Sequence, residues 1–248
     1  MKPSLTFWYE FASTYSWLAA ERIETLAAQA GIEVAWRPFL LGPIFAAQGW
    51  TSSPFNLFPA KGRNMWRDME RQCARMNLPP IVRPEPFPQN SLLAARVATA
   101  LPPVARPPFS RAVYRAQFTK GRSITDRAVL AASLKDAGLP PDALAAAEAA
   151  ETKSALRQAT EEAQSLGIFG APSFTTRSGE LFWEMIAWSR RSRGPGSCRG
   201  DPCVRPVCAP SACNKGDHKG RPYICSDGGG ERPQRLARAH ASQRLRRL

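Results

Sequence analysis

The stretch Phe7-Trp8-Tyr9-Glu10-Phe11-Ala12-Ser13-Thr14-Tyr15-Ser16 decides how this chain folds. Residues 5–11 are dense in aromatic side chains, the composition of a buried strand. Directly after them Tyr15, Leu18, Ala19, Ile23, Leu26 and Ala27 recur at helical spacing, and Gly31 is a natural stop. Ile32-Glu33-Val34-Ala35-Trp36 then alternates as a second strand, closed by Pro38. Strand, helix and strand make a βαβ unit, so the two strands are predicted to run parallel.

Helical periodicity takes over from about residue 60 to 166. Met65, Trp66, Met69, Cys73 and Met76 form an apolar stripe of core character on a helix that ends before Pro79-Pro80. Residues 92–101, 109–118, 128–137 and 143–166 supply further helices, with Asp126 and Asp142 as N-caps. Strand character returns at 172–176 and 180–183, joined by the turn Arg177-Ser178-Gly179. The order is βαβ, a helical block, then ββ. It predicts an α/β domain made of 1–59 and 167–183, interrupted by an inserted helical domain at 60–166.

The net charge of +14 is unevenly placed. Residues 184–248 hold 14 of the 34 Lys and Arg but 5 of the 20 Asp and Glu, so +9 lies there and +5 on residues 1–183. Cys73 is the one cysteine of the body; Cys198, Cys203, Cys208, Cys213 and Cys225 are all in the tail. A body without a disulfide framework suits a reducing cytoplasm. No apolar run approaches the ~20 residues needed to span a bilayer, and Glu10 interrupts the start before any signal-like stretch develops, so no membrane partner is expected.

The tail is a different polymer: residues 189–235 are dense in Arg, Gly, Pro, Ser and Cys without apolar periodicity. Such a segment buries too little apolar surface to offset its ordering entropy and is expected to be disordered. Cys198 to Cys213 recur every five residues with His218 five further on, which superficially suggests zinc. No Cys-x-x-Cys pair or hydrophobic framework accompanies them, and no metal is expected. The Arg-rich end suits non-specific phosphate binding, but without interleaved aromatics no specific nucleic acid is expected.

Two places carry candidate chemistry. Ser13 and Ser16 stand at the junction of the first strand and first helix, where unpaired N–H donors and a positive dipole end stabilise anionic sulfur. Two serines exchange no disulfide there. The Ser13 hydroxyl either caps the helix or donates a hydrogen bond to a bound thiolate. The second place is Phe169-Gly170-Ala171-Pro172-Ser173. Pro172 either opens a strand in the ordinary way or follows a cis peptide that exposes the Ala171 backbone to a peptide-like ligand.

The opening run, Trp36-Arg37-Pro38-Phe39-Leu40-Leu41-Gly42-Pro43-Ile44-Phe45, Ser53-Pro54-Phe55-Asn56 with Lys61 to Met69, Pro88-Gln89-Asn90-Ser91 and Phe169-Gly170-Ala171-Pro172 together resemble the 2-hydroxychromene-2-carboxylate isomerases. These are relatives of kappa-class glutathione transferases and DsbA-like proteins. The resemblance covers residues 4–183; Thr14 stands where many relatives have proline. It implies a thioredoxin-like sheet with helices inserted between strands 2 and 3. It also implies a glutathione cofactor with its sulfur near Ser13, Asn56 and Lys61 lining the site, and Ala171 with Pro172 holding the cysteinyl backbone. The substrate implied is a small aromatic carboxylate, a chromene ring opened to a benzylidenepyruvate in naphthalene-type catabolism. Lys61 either pairs with that carboxylate or is a solvated helix-face lysine. The resemblance leaves a homodimer open, and a kappa-like thiol transferase is the neighbouring activity.

The resemblance stops at Trp183. Relatives continue with Gly-Asn-Asp-Arg-Leu, which grips the γ-glutamyl end of glutathione, and then a closing helix. This chain reads Glu184-Met185-Ile186-Ala187-Trp188-Ser189. Inserting one G after the Trp183 codon lets the same bases spell Trp-Gly-Asn-Asp-Arg-Leu-Glu. Residues 184–248 are therefore read as translated from a shifted frame, with the closing helix missing and the activity impaired.

Overall fold

The computed structural model describes residues 4–183. The first strand, β1 (Ser4–Tyr9), pairs in parallel with β2 (Glu33–Pro38), and Phe7 lies opposite Trp36 in the register. On its other edge β1 pairs antiparallel with β3 (Ser173–Thr176), which continues through a turn at Gly179 into β4 (Leu181–Trp183). The sheet order is β2-β1-β3-β4, so the chain's first strand is central although its neighbour β3 comes some 165 residues later.

Alternation along β1 sorts its side chains to two faces. Phe7 and Tyr9 point into the main core, where Phe7 packs edge-on against Trp36 at 4.9 Å and stacks on Phe174 at 5.4 Å. Trp8 points to the opposite face, into a smaller cluster with Phe39, Ile44, Ala163 and Ile168. Its indole N–H donates to Thr175 Oγ1 at 2.9 Å, so the one polar atom of a fully buried ring is satisfied.

Ten α-helices occur among the described residues. The helix expected after β1 is broken into α1 (Thr14–Ala20) and α2 (Ile23–Ala30). The break falls at Glu21, whose carboxylate accepts from Nε and Nη2 of Arg115 at 2.8 and 2.6 Å. That is a tertiary contact which apolar spacing does not reveal. Two short helices not evident in the sequence, α3 (Leu41–Ala47) and α4 (Pro54–Leu57), precede α5 (Pro59–Arg75), the helix of the Met and Trp stripe. As expected of a core stripe, Met65, Met69 and Cys73 are buried.

The insertion continues with α6 (Leu92–Ala100), a 3-10 turn at Pro103–Ala105, α7 (Arg106–Phe118) and α8 (Arg127–Asp136). Asp126 caps α8 by accepting from Ala128 N–H at 2.8 Å. The helix expected over 143–166 is split into α9 (Ala143–Ala146) and α10 (Ala150–Ser165), with Ala149 extended between them. Asp142 has helical backbone angles and makes no side-chain cap, which corrects the sequence reading. The insertion and the sheet share one core: Phe109, Val113, Tyr114 and Phe118 of α7 pack with Phe7, Tyr9, Phe11 and Trp17. The expected disorder, frame change and missing helix at 184–248 lie outside the described residues.

Candidate active site

Where β1 ends, the chain makes a tight turn before α1. Ser13 N–H donates to the Glu10 carbonyl at 3.1 Å, and Ser13 stays extended, which lets it act as N-cap. Its Oγ accepts from Ser16 N–H at 3.1 Å and donates to the Ala171 carbonyl at 2.8 Å. A serine hydroxyl has one proton and two lone pairs. The capping alternative is realised: a lone pair caps the helix while the proton is held by Ala171. For Ser13 to donate to a ligand, the hydroxyl rotates away from that carbonyl and keeps its cap. Ser16 is buried, and its Oγ accepts from Glu10 N–H at 3.5 Å, a packing role.

The Ala171–Pro172 peptide is cis, and the loop before β3 lies beside Ser13 at one end of the two inner strands. Around the pair lies a cavity of about 660 Å³, within the ~300–1,000 Å³ of small-molecule sites. Its walls include Leu40 and Leu41 from the start of α3, Phe55 from α4, Trp50, Phe87 and Trp183. Lys61 of α5 also lines it and is the one lysine or arginine among the described lining residues; its Nζ stands 4.8 Å from the Phe58 ring centroid. A cation over a ring face is held there without being neutralised.

The sequence candidates divide at this point. Ser13, Ala171 and Lys61 line one cavity, while Pro172 acts through the backbone of its neighbour. Asn56 stands outside the lining. Its amide donates to the Phe87 carbonyl at 2.8 Å and to Ser52 Oγ at 3.3 Å, tying α4 to the loop that carries Phe87.

Sequence reading missed the carboxyl of Glu10, which lines the same cavity and is 5% exposed. Oε2 accepts from Ala12 N–H at 2.7 Å, and Oε1 accepts from the hydroxyl of Ser91, 7% exposed, just before α6. Burial pushes this carboxyl up to about 7, while the Ser91 hydroxyl and the Ala12 and Ser13 N–H groups pull it down. Tyr114 O–H donates to the Glu10 carbonyl at 3.0 Å, which fastens α7 to the turn; burial first, then the nearby Tyr9 and Glu10, push that phenol well above its usual range. The signal was a lone acid at the end of an apolar strand, three residues before Ser13.

A four-stranded mixed sheet, a polar group at the β1–α1 junction and a cis-proline facing it define the thioredoxin fold, here with hydroxyls in place of thiols. The chain belongs to the DsbA-like thioredoxin-domain family, whose model matches residues 4–189. It is 26% identical over 185 residues to a 2-hydroxychromene-2-carboxylate isomerase from Sphingobium xenophagum, a match covering 74% of this chain and 93% of that protein. Among solved structures it is similar to a 2-hydroxychromene-2-carboxylate isomerase (TM-score 0.67, 18% identity, 76% and 94% of the two chains). It is also similar to a probable DsbA oxidoreductase from Streptomyces coelicolor (TM-score 0.57, 19% identity, 83% and 100%). Among the described residues no helix is long and apolar enough to cross a membrane, and no cluster of His, Cys, Asp or Glu has the makings of a metal site.

Proposed function

We propose that this chain is built as a glutathione-dependent isomerase of 2-hydroxychromene-2-carboxylate, opening the ring to the benzylidenepyruvate. The observation that carries the reading is a mostly apolar, aromatic-walled cavity whose described lining holds a hydroxyl–carbonyl pair, Ser13 with Ala171, and one cation, Lys61. Aromatic walls suit a fused-ring substrate, and a single ammonium suits a single carboxylate. The 26% identical isomerase supports the same choice.

The residues present fit the cysteinyl part of glutathione. Ser13 supplies a donor, and the backbone before cis-Pro172 supplies a peptide-like edge. The motif that grips the γ-glutamyl end in the resemblance would follow Trp183, where this chain reads Glu184-Met185-Ile186-Ala187-Trp188 instead. When bound, the glutathione thiol supplies a nucleophile that adds to the conjugated alkene and leaves after rotation, without net redox change. Ser13 orients and hydrogen-bonds the sulfur, Lys61 holds the carboxylate, and Phe55, Phe87 and Trp183 exclude water from the reacting face.

The test is conversion of the chromene carboxylate with and without reduced glutathione, on the 248-residue chain, on a frame-restored chain, and on Ser13→Ala of each. Glutathione-dependent isomerisation by the restored chain that Ser13→Ala lowers supports the reading. Conjugation of an electrophilic aromatic halide without isomerisation points instead to a kappa-like transferase and overturns it.

A further inference from the structure

Glu10 is the buried group that the proposed reaction leaves without a role. Its carboxyl sits in the cavity wall, hydrogen-bonded by the Ser91 hydroxyl and Ala12 N–H, and no ion pair among the described residues involves it. A carboxylate buried without a cation is costly, and two donors satisfy part of its valence. Ser91 stands both on the cavity and on Glu10 Oε1, so a ligand's acidic proton has a two-step path to the carboxyl.

We propose that Ser91 and Glu10 form the proton acceptor of this site, taking the thiol proton as glutathione binds. The proposal rests on the glutathione reading. In the step, the Ser91 hydroxyl passes its proton to Glu10 Oε1 and receives the S–H proton in exchange. The S–H electron pair stays on sulfur, Ser91 ends unchanged, and the carboxylate becomes a neutral acid. The reverse transfer returns the proton on release.

The other groups facing Glu10 do not compete for that proton. Tyr114 of α7 donates its O–H to the Glu10 carbonyl, and Ser16 of α1 accepts from Glu10 N–H. The Tyr9 hydroxyl, on β1 itself, accepts from Ser110 at 2.9 Å and is influenced by Arg106. Lys61 is the cavity's described cation and lies over Phe58. With Glu10 near 7, the carboxyl is about 90% ionised at pH 8 and free to take a proton.

Infrared difference spectra of the full chain at pH 8, with and without reduced glutathione, read the carboxyl directly; calorimetry reads binding in parallel. The expected result is a gain of about one neutral carboxylic-acid band per chain on binding, lost in Glu10→Gln and reduced in Ser91→Ala. S-methyl-glutathione, which has no thiol proton, is expected to bind without the band. Binding by calorimetry with no new band overturns the proton role and leaves the cofactor reading standing. A band that persists in Glu10→Gln belongs to another carboxyl and overturns it as well. Absence of binding by the full chain and by the frame-restored chain alike removes the cofactor reading and the proton role together. Ser91→Ala keeps the test open should Glu10→Gln fail to fold.

Discussion

Replacing Glu10 by glutamine removes the titrating carboxyl of the strand-end turn while nearly keeping its size. The folded value near 7 lies above the usual 4.5 of a glutamate, and the gap corresponds to about 3 kcal/mol. Because the folded value is the raised one, the folded chain binds more protons than the unfolded chain between about pH 4.5 and 7. The group's contribution is therefore fully present below about 4.5 and is lost as pH rises through 7. Glutamine does not titrate, so the stability of the native chain minus that of Glu10→Gln should fall by about 3 kcal/mol between pH 4.5 and 8. The amide also disturbs the hydrogen bonds from Ala12 and Ser91, a cost of about 1 kcal/mol that does not vary with pH. Urea unfolding followed by tryptophan fluorescence at several pH values measures the difference. A difference that stays constant, or rises with pH, refutes the reasoning, because the carboxylate is then stabilised rather than penalised by its surroundings.

Ser13→Ala removes a helix cap and the link to the Ala171 carbonyl; thermal or urea unfolding should show a loss of about 1 kcal/mol. Glutathione-dependent turnover should fall about 100-fold, the scale of losing one donor to developing charge. Gly62→Ala places a methyl 2.3 Å from the Phe55 carbonyl, between α4 and α5. That backbone contact has no flexible end to yield, so urea unfolding should show a loss of about 1–3 kcal/mol. Lys61→Gln should raise KM for the aromatic carboxylate about fivefold with kcat nearly unchanged, the modest effect of an exposed charge, and steady-state kinetics read it. Resequencing the locus across the Trp183 codon decides the frame: a run of three Gs makes the deletion genuine, and four makes it an error of sequence.

The succession of strands along the chain was legible because each carries its signal locally: aromatic density in β1, alternation in β2, and turn residues between β3 and β4. The helical insertion was legible for the same reason. The breaks in it were not. At the break the Glu21 side chain meets Arg115, 94 residues away, and no periodicity within α1 and α2 records that partner. Asn56 had the residue type of a ligand contact, but its amide is taken by the Phe87 carbonyl, a loop partner 31 residues on.

By itself the amino-acid sequence determined the βαβ opening, the helical insertion and the absence of thiols at Ser13 and Ser16. Those properties belong to short runs of neighbouring residues. Only the tertiary structure decided that the Ser13 proton rests on Ala171 and that Glu10 is buried against Ser91. The physical reason is that a hydroxyl's partner and a carboxyl's solvation depend on what the fold packs around them, here from chain positions 158 and 81 residues away.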